Sequence, residues 1–220
     1  MTGAQPTVSW EVLQRRKLEA MSETVPHFKE MAGLRIYIEP NVYPPGTDTH
    51  LLANTVKISP NGTALDLCTG TGAIACKLSA LGAKSVVAVD LNPLAVANAQ
   101  KNVELLGLKN VAVRKGNMFE GIKDKFDVVS INPPYTNKAA SSDIDICFYD
   151  KDHQFIRDFF AGLRAHLKPA GTVYLAWSNI SDMDLLPKLA NHNGFEIQEL
   201  SKDVGRRGYT FYIYQLKDKK

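Results

Sequence analysis

Four consecutive residues, Asn132-Pro133-Pro134-Tyr135, carry the most specific chemistry in the chain. An amide or aromatic amine nitrogen is a poor nucleophile, because its lone pair is delocalised into the neighbouring π system. An asparagine side-chain oxygen and the backbone carbonyl of the next residue can accept both hydrogens of such an NH2 group. That holds the nitrogen in line for attack and favours its pyramidalisation. Asn132 supplies the side chain and Pro133 the carbonyl, the two prolines stiffen the backbone, and Tyr135 offers an aromatic face on which the planar group stacks. The work is positioning and hydrogen bonding, so no strong general base is demanded. The plainer reading is that two prolines end a strand.

A second constellation lies upstream. Leu65-Asp66-Leu67-Cys68 runs into Thr69-Gly70-Thr71-Gly72, and a helical pattern starts at once. Glycines there let a ligand approach the backbone, and the N–H groups at the start of a helix face it. Asp90 follows twenty residues after Gly70, placed to accept both hydroxyls of a ribose. Two cofactors compete for this loop. Gly70-x-Gly72-x-x-Ala75 with Asp90 fits the nicotinamide dinucleotide fingerprint. Asp66 stands against it, since a carboxylate ahead of the glycines repels a pyrophosphate and attracts the amino group of a methionine moiety. S-adenosyl-L-methionine fits better.

These residues need a scaffold, and the chain supplies one. Of its 220 residues, 45% are hydrophobic and 22% charged, enough to bury a core as one domain with an extension. Apolar strands are expected at Ala64–Leu67, Ser85–Val89, Val111–Arg114, Asp127–Ile131 and Thr172–Trp177, with helical windows at Ala73–Leu81, Pro93–Leu106, Gln154–Leu167 and Met183–Asn191. Strands apolar on both faces and alternating with helices imply an α/β fold, a doubly wound and mostly parallel sheet with its ligand at the carboxyl ends of the strands. Gly194–Leu200 and Tyr209–Leu216 read as a closing antiparallel pair. Upstream, 8–23 reads as a helix, Leu34–Ile38 as a short strand, and Thr47–Lys57 as a helix capped by Thr47 or Asp48. Residues 1–46 thus form an extension and 47–220 the cofactor-binding domain.

The net charge is +3, from 26 basic and 23 acidic residues. All of the excess lies after residue 150, where Lys217, Lys219 and Lys220 make a basic tail. Nothing interleaves aromatic and basic residues as a nucleic-acid groove would. Three cysteines (Cys68, Cys76, Cys147) without a CxxC pair argue against a disulfide framework, and no long apolar run or leader pattern occurs. A soluble, cytoplasmic protein is expected. The five histidines show no ligand spacing, so no metal is expected.

Asp66–Gly72, Asp90 and Asn132–Tyr135 together resemble class I S-adenosylmethionine methyltransferases that modify planar amino groups. Leu65–Ala75 (LDLCTGTGAIA) is similar to the HemK/PrmC branch, protein-glutamine N5-methyltransferases acting on the Gly-Gly-Gln motif of peptide-chain release factors. Gly33–Arg35 and Val42–Thr49 (VYPPGTDT) resemble that branch's connecting hairpin and lead-in loop, in a spelling nearer its short archaeal and eukaryotic members, whose partner is a release factor bound to a small zinc protein. The resemblance covers about Gly33 to Leu216 and implies a seven-stranded, Rossmann-like sheet. It implies cofactor contacts from Tyr43, Thr49, Asp66, Cys68, Thr69, Gly70, Thr71, Gly72, Asp90, Leu91, Asn117, Met118 and Asn132, and catalytic roles for Asn132, Pro133 and Tyr135. It departs from the bacterial members in lacking room for their N-terminal helical domain, in reading Gly46-Thr47-Asp48-Thr49-His50 where they read R-P-E-T-E, and in placing Asn117 where an acidic residue usually meets the adenine amine. The acceptor is what these changes bear on. It is a release factor or a small molecule, and an adenine-N6 methyltransferase, a nicotinamide-dependent oxidoreductase or a non-catalytic partner subunit stay open beside it.

Four further segments carry expectations. Thr136–Lys151, with Asp143, Asp145 and Asp150, is either a surface loop or a cover over the substrate. Cys68 is a small buried residue rather than a nucleophile. Arg206 and Arg207 open the final hairpin. Residues 1–30 are expected to be dispensable for cofactor binding, and Tyr43 and Thr49 to sit over the cofactor.

Overall fold

The structure, a computed structural model, describes residues 8–205 and 208–219. Arg206, Arg207 and Lys220 therefore lie outside the described residues. Helix α1 (Trp10–Glu23) leads into a two-stranded antiparallel hairpin, β1 (His27–Met31) and β2 (Leu34–Ile38), then helix α2 (Thr47–Thr55). From there the expected alternation runs through β3 (Thr63–Leu67), α3 (Ala73–Ala80), β4 (Ser85–Asp90), α4 (Pro93–Leu105), β5 (Val111–Lys115) and β6 (Phe126–Ile131). Helix α5 (Gln154–His166), β7 (Leu167–Ser178), α6 (Leu185–His192), β8 (Phe195–Val204) and β9 (Thr210–Asp218) complete the chain.

The main sheet has seven strands in the order β5-β4-β3-β6-β7-β9-β8. The first five pair in parallel, and β9 runs antiparallel to both β7 and β8. The doubly wound sheet with a C-terminal antiparallel pair is thus as the sequence led one to expect. Two details differ. The hairpin partner β1 went unread, because His27-Phe28-Lys29-Glu30-Met31 mixes polar and apolar residues and buries only Met31. Helix α2 starts at Thr47 with Gly46 in the cap position, so neither Thr47 nor Asp48 caps it.

Strand alternation sorts the core into two layers. Leu65, Leu67, Val129 and Ile131 face α5 and α6, against Phe159, Phe160, Trp177 and Leu186. On the other side, Ala64, Ala88 and Val128 face α2 and α3 against Leu52, Ala53, Ile74 and Leu78. Helix α5 buries Ile156, Phe159, Phe160 and Leu163, the i, i+3, i+4, i+7 spacing of one helical face. The hairpin is tied to α4 by two buried amides. Asn102 accepts from the Tyr37 N–H (2.7 Å) and donates to the carbonyls of Tyr37 and Thr71 (2.7 and 2.9 Å), while Asn98 accepts from the Glu39 N–H (2.9 Å).

The chain winds from β3 outward to β5, then returns to place β6 on the other side of β3. The β3/β6 junction is therefore the topological switch point, where open α/β sheets bind ligands.

Candidate active site

Both motifs open at this junction. Asp66 and Ser130 are register partners on β3 and β6. The serine hydroxyl donates to Asp66 Oδ1 (2.7 Å), and the Thr69 hydroxyl donates to Oδ2 (2.6 Å), so the carboxylate pins the glycine loop from beneath. Asp66 is 2% exposed. Burial pushes its pKa up to about 6, against the hydroxyls of Thr69 and Ser130 and the Ala75 N–H, which favour the anion. Asp90 ends β4, where its two oxygens accept from the Gly70 N–H (2.8 Å) and the Asn92 N–H (3.0 Å). Burial raises its pKa too, and those backbone donors offset part of the rise.

A cavity of about 460 Å3 opens over these carboxylates. It is lined by Tyr43, Thr49, Asp66, Cys68, Thr69, Gly70, Thr71, Asp90, Leu91, Asn117, Met118, Asn132, Pro133 and Tyr135. Gly72 is absent from that wall. At φ +79° it is the left-handed cap of α3, and a Cβ there would lie 2.9 Å from the Ala99 Cβ. Its need for glycine is packing against α4, not room for a ligand. Gly70, at φ +55°, would meet nothing within 4 Å of an added Cβ, so its backbone faces open space. Cys68 is half-buried, and the loss of water around its thiol pushes the pKa well up, as do Asp90 and Asp66 beside it. It fits a packing residue rather than a nucleophile.

Asn132 sits in a network in which Asp48 takes part, a residue the sequence reading considered as a helix cap and as part of the lead-in loop but not as a partner of Asn132. Asp48, 2% exposed, accepts from Asn132 Nδ2 (3.0 Å) and from the Tyr135 hydroxyl (3.2 Å). An ionised carboxylate only accepts, so it holds the amide NH2 of Asn132 and turns Oδ1 the other way. The Tyr135 hydroxyl lies against that Oδ1 as well, so its single proton is shared between the Asp48 carboxylate and the Asn132 amide oxygen. Its ring packs edge-on to Trp177 at 5.7 Å and is almost wholly buried. Tyr135 therefore works through its hydroxyl as well as its ring, a contact its expected role as a stacking face did not include. Asp48→Ala is expected to cut methyl transfer roughly tenfold, about 1.4 kcal/mol, by freeing the Asn132 amide to rotate. Calorimetry on the same variant should show an unchanged cofactor affinity; a parallel loss of affinity would put Asp48 in the cofactor's own contacts.

The segment after Tyr135 is exposed over 137–143 and from Ile144 onward folds over the cavity. Asp145 accepts from Ser141 and Ser142 backbone N–H groups, and Asp150 accepts from those of Phe155 and Ile156 at the start of α5. Ile144, Ile146, Phe148 and Tyr149 thereby line the cavity, and Phe148 packs against Tyr43 at 5.4 Å. Thr49 and Tyr43 line the same cavity. Residues 1–30, expected to be dispensable for cofactor binding, nonetheless reach the cavity: Trp10 and Met21 of α1 line it, and the Asn41 N–H donates to the Met21 carbonyl (2.9 Å). The loosely apolar pattern of α1 gave no sign of this, because the helix buries only Leu13, Gln14 and Met21.

With this geometry in view, the comparisons with known proteins decide the family. The model of the methyltransferase small domain matches residues 34–192, most of the chain. The chain belongs to that family. It is a methyltransferase. A Methanocaldococcus jannaschii protein named as a protein N5-glutamine methyltransferase is 34% identical over 158 residues, 69% of this chain and 80% of its own length. That relative sets the methyltransferase in the HemK/PrmC branch. The release factor glutamine methyltransferase of Aliivibrio fischeri is 35% identical over 145 residues, 62% of this chain and 51% of that one. The methyltransferase thus spans about half the length of its bacterial relative. Among solved structures, the ribosomal protein L11 methylase of Lactobacillus delbrueckii matches with TM-score 0.63 at 22% identity, covering 83% of this chain and 84% of that one. A Thermus thermophilus 16S rRNA N2 G1207 methyltransferase, solved with AdoMet and guanosine, matches with TM-score 0.67 at 21% identity, covering 89% and 50%. These two show the shared fold.

Proposed function

We propose that the methyltransferase uses S-adenosyl-L-methionine to methylate the side-chain amide of a protein glutamine, the acceptor being a peptide-chain release factor. The observation that carries the reading is the Asp48–Asn132 bond, which fixes the amide of Asn132 end for end at the wall of the cavity that the glycine loop also lines. The names of the M. jannaschii and A. fischeri relatives support the acceptor.

The donor set suits this cofactor. Asp66, under the glycine loop, favours an ammonium and opposes a pyrophosphate. Asp90 keeps acceptor capacity for a ribose, since its two oxygens offer about four acceptor sites to three backbone N–H groups, those of Gly70, Leu91 and Asn92. Leu91 and Met118 give apolar cover, and Asn117 a polar edge, for an adenine. When bound, the cofactor supplies an electrophilic methyl group. Asn132 Oδ1 and the Pro133 carbonyl orient the acceptor NH2, the buried Tyr135 closes the floor behind it, and the segment after Tyr135 excludes water. In this reading residues 1–46 are the extension and 47–220 the catalytic domain. The three cysteines are free thiols, which fits a cytoplasmic site of action, and among the described residues no helix is long and apolar enough to cross a membrane.

Tritium transfer from the labelled cofactor to a purified release factor tests the proposal. Label should appear in the wild-type release factor and vanish when the glutamine of its Gly-Gly-Gln motif is changed to asparagine. Label found instead on DNA adenine or a small metabolite would replace this acceptor. Asp90→Ala should weaken cofactor binding by about 2 kcal/mol, roughly thirtyfold, because a ribose partner and the Gly70 tether go together. Tight NADH binding without adenosyl-cofactor binding would overturn the cofactor assignment.

A further inference from the structure

Helix α1 lies outside the matched family segment, yet it reaches the catalytic motif. Trp10 and Gln14 are four residues apart and so share one helical face. Trp10 Nε1 and Gln14 Nε2 both donate to the Thr136 hydroxyl, each at 2.8 Å. Thr136 directly follows Tyr135. Its own N–H donates to the Phe148 carbonyl (3.0 Å), and its carbonyl accepts from the Asp150 N–H (2.8 Å). One residue thus joins the Asn132–Tyr135 motif, the covering segment and α1.

The way α1 is held is also telling. The Tyr209 hydroxyl donates to the Val8 carbonyl (3.1 Å), the Tyr209 ring packs edge-on to Trp10 at 5.3 Å, and Asn41 binds the far end at Met21. Few apolar side chains are buried, so polar contacts rather than core packing fix the position of the helix. Gln14 is 1% exposed and its Oε1 has no partner. Burying an orphan acceptor costs free energy, and the other end of the same amide is spent wholly on Thr136.

We propose that Trp10 and Gln14 are positioning residues for the acceptor half of the site, acting through Thr136 to hold the Asn132–Tyr135 motif and its cover in register. The inference rests on the preceding reading only in that an acceptor meets Asn132. Cofactor contacts at Asp66 and Asp90 lie on other strands and are not part of it.

Thr136→Val removes the shared acceptor at nearly constant shape, Thr136→Ser restores it, and Trp10→Phe keeps the ring while losing its N–H. In the full chain with a release factor as acceptor, Thr136→Val is expected to raise the acceptor KM about tenfold, with cofactor Kd within twofold of wild type. Trp10→Phe should give a smaller rise, and Thr136→Ser should return to wild type. Wild-type acceptor KM and kcat in both Thr136→Val and Trp10→Phe would overturn the proposal, as would an equal loss of cofactor affinity. Amide hydrogen exchange on the cofactor-bound protein keeps the two readings apart. If wild type fails to label any release factor, the glutamine reading falls, while exchange at Thr136 and Asp150 still decides this one. Faster exchange there in Thr136→Val, reversed in Thr136→Ser, supports the coupling, and unchanged exchange overturns it.

Discussion

Alanine in place of Asn132 is expected to slow single-turnover methyl transfer by a hundredfold or more while leaving cofactor affinity nearly intact. The side chain's Nδ2 is held by Asp48 at 3.0 Å, so the amide is fixed end for end before any acceptor arrives. Losing one preorganised polar contact of this kind costs on the order of 3 kcal/mol in the transition state. The effect falls on turnover because the pyramidalising nitrogen gains more from the contact than the planar ground state does. Asn132→Asp makes the complementary test. A carboxylate beside Asp48 puts two acceptors face to face, so one must protonate or turn away. Transfer should fall as far as in the alanine variant at pH 8 and recover partly at lower pH. Near-wild-type transfer in Asn132→Ala would reduce the motif to a strand end, and the N-methylation proposal would go with it.

The sheet, the glycine loop and the Asn132–Tyr135 motif were legible because each rests on local rules. Apolar runs spaced by helical windows define the parallel strands, and Gly70 and Asp90 follow from backbone approach and the reach of a carboxylate. Asp48 was not legible in the same way. It is a polar residue in a first helical turn, where acidic side chains are common without any further role. Only the packing of α2 against α3, β7 and β9 brings it to Asn132. A serine inside an otherwise apolar strand was the nearest signal for such a polar network, and Ser130 does bind Asp66. Helix α1 was illegible for a different reason. Its contacts to Thr136 span more than 120 residues of sequence and are made by an indole and an amide, types that carry no positional rule. Gly72 was over-read, since a glycine wanted by a neighbouring helix and a glycine wanted by a ligand look alike in sequence.

Asp66→Asn is expected to weaken cofactor binding at least a hundredfold and, in the unliganded protein, to raise thermal stability above pH 6. The two effects have one cause. Burial lifts the Asp66 pKa from 3.8 to about 6, so the folded state holds this proton more tightly than the unfolded chain does. Stability from this group is fully present below about pH 4 and drains away as pH rises to about 6. Above that, the buried charge costs about 3 kcal/mol, two pK units at 1.36 each. Asparagine carries no charge, and the hydroxyls of Thr69 and Ser130 can rotate to meet its amide. The variant's melting temperature should therefore pull ahead of wild type as pH rises through that window, by roughly 6–12 °C at pH 7.5, and the gap should close below pH 4. A ligand ammonium in the cavity would offset that charge in the wild type. Removing it should weaken S-adenosyl-L-methionine binding at least a hundredfold, and wild-type affinity should itself fall as the solution is acidified below pH 6. Melting curves from pH 4 to 8 with calorimetry on both proteins measure the two arms together. A variant that binds the cofactor as wild type does would move Asp66 out of the ligand's contacts and leave it as a brace for the glycine loop. A melting gap without pH dependence would mean that the charge is already neutralised by the protein alone.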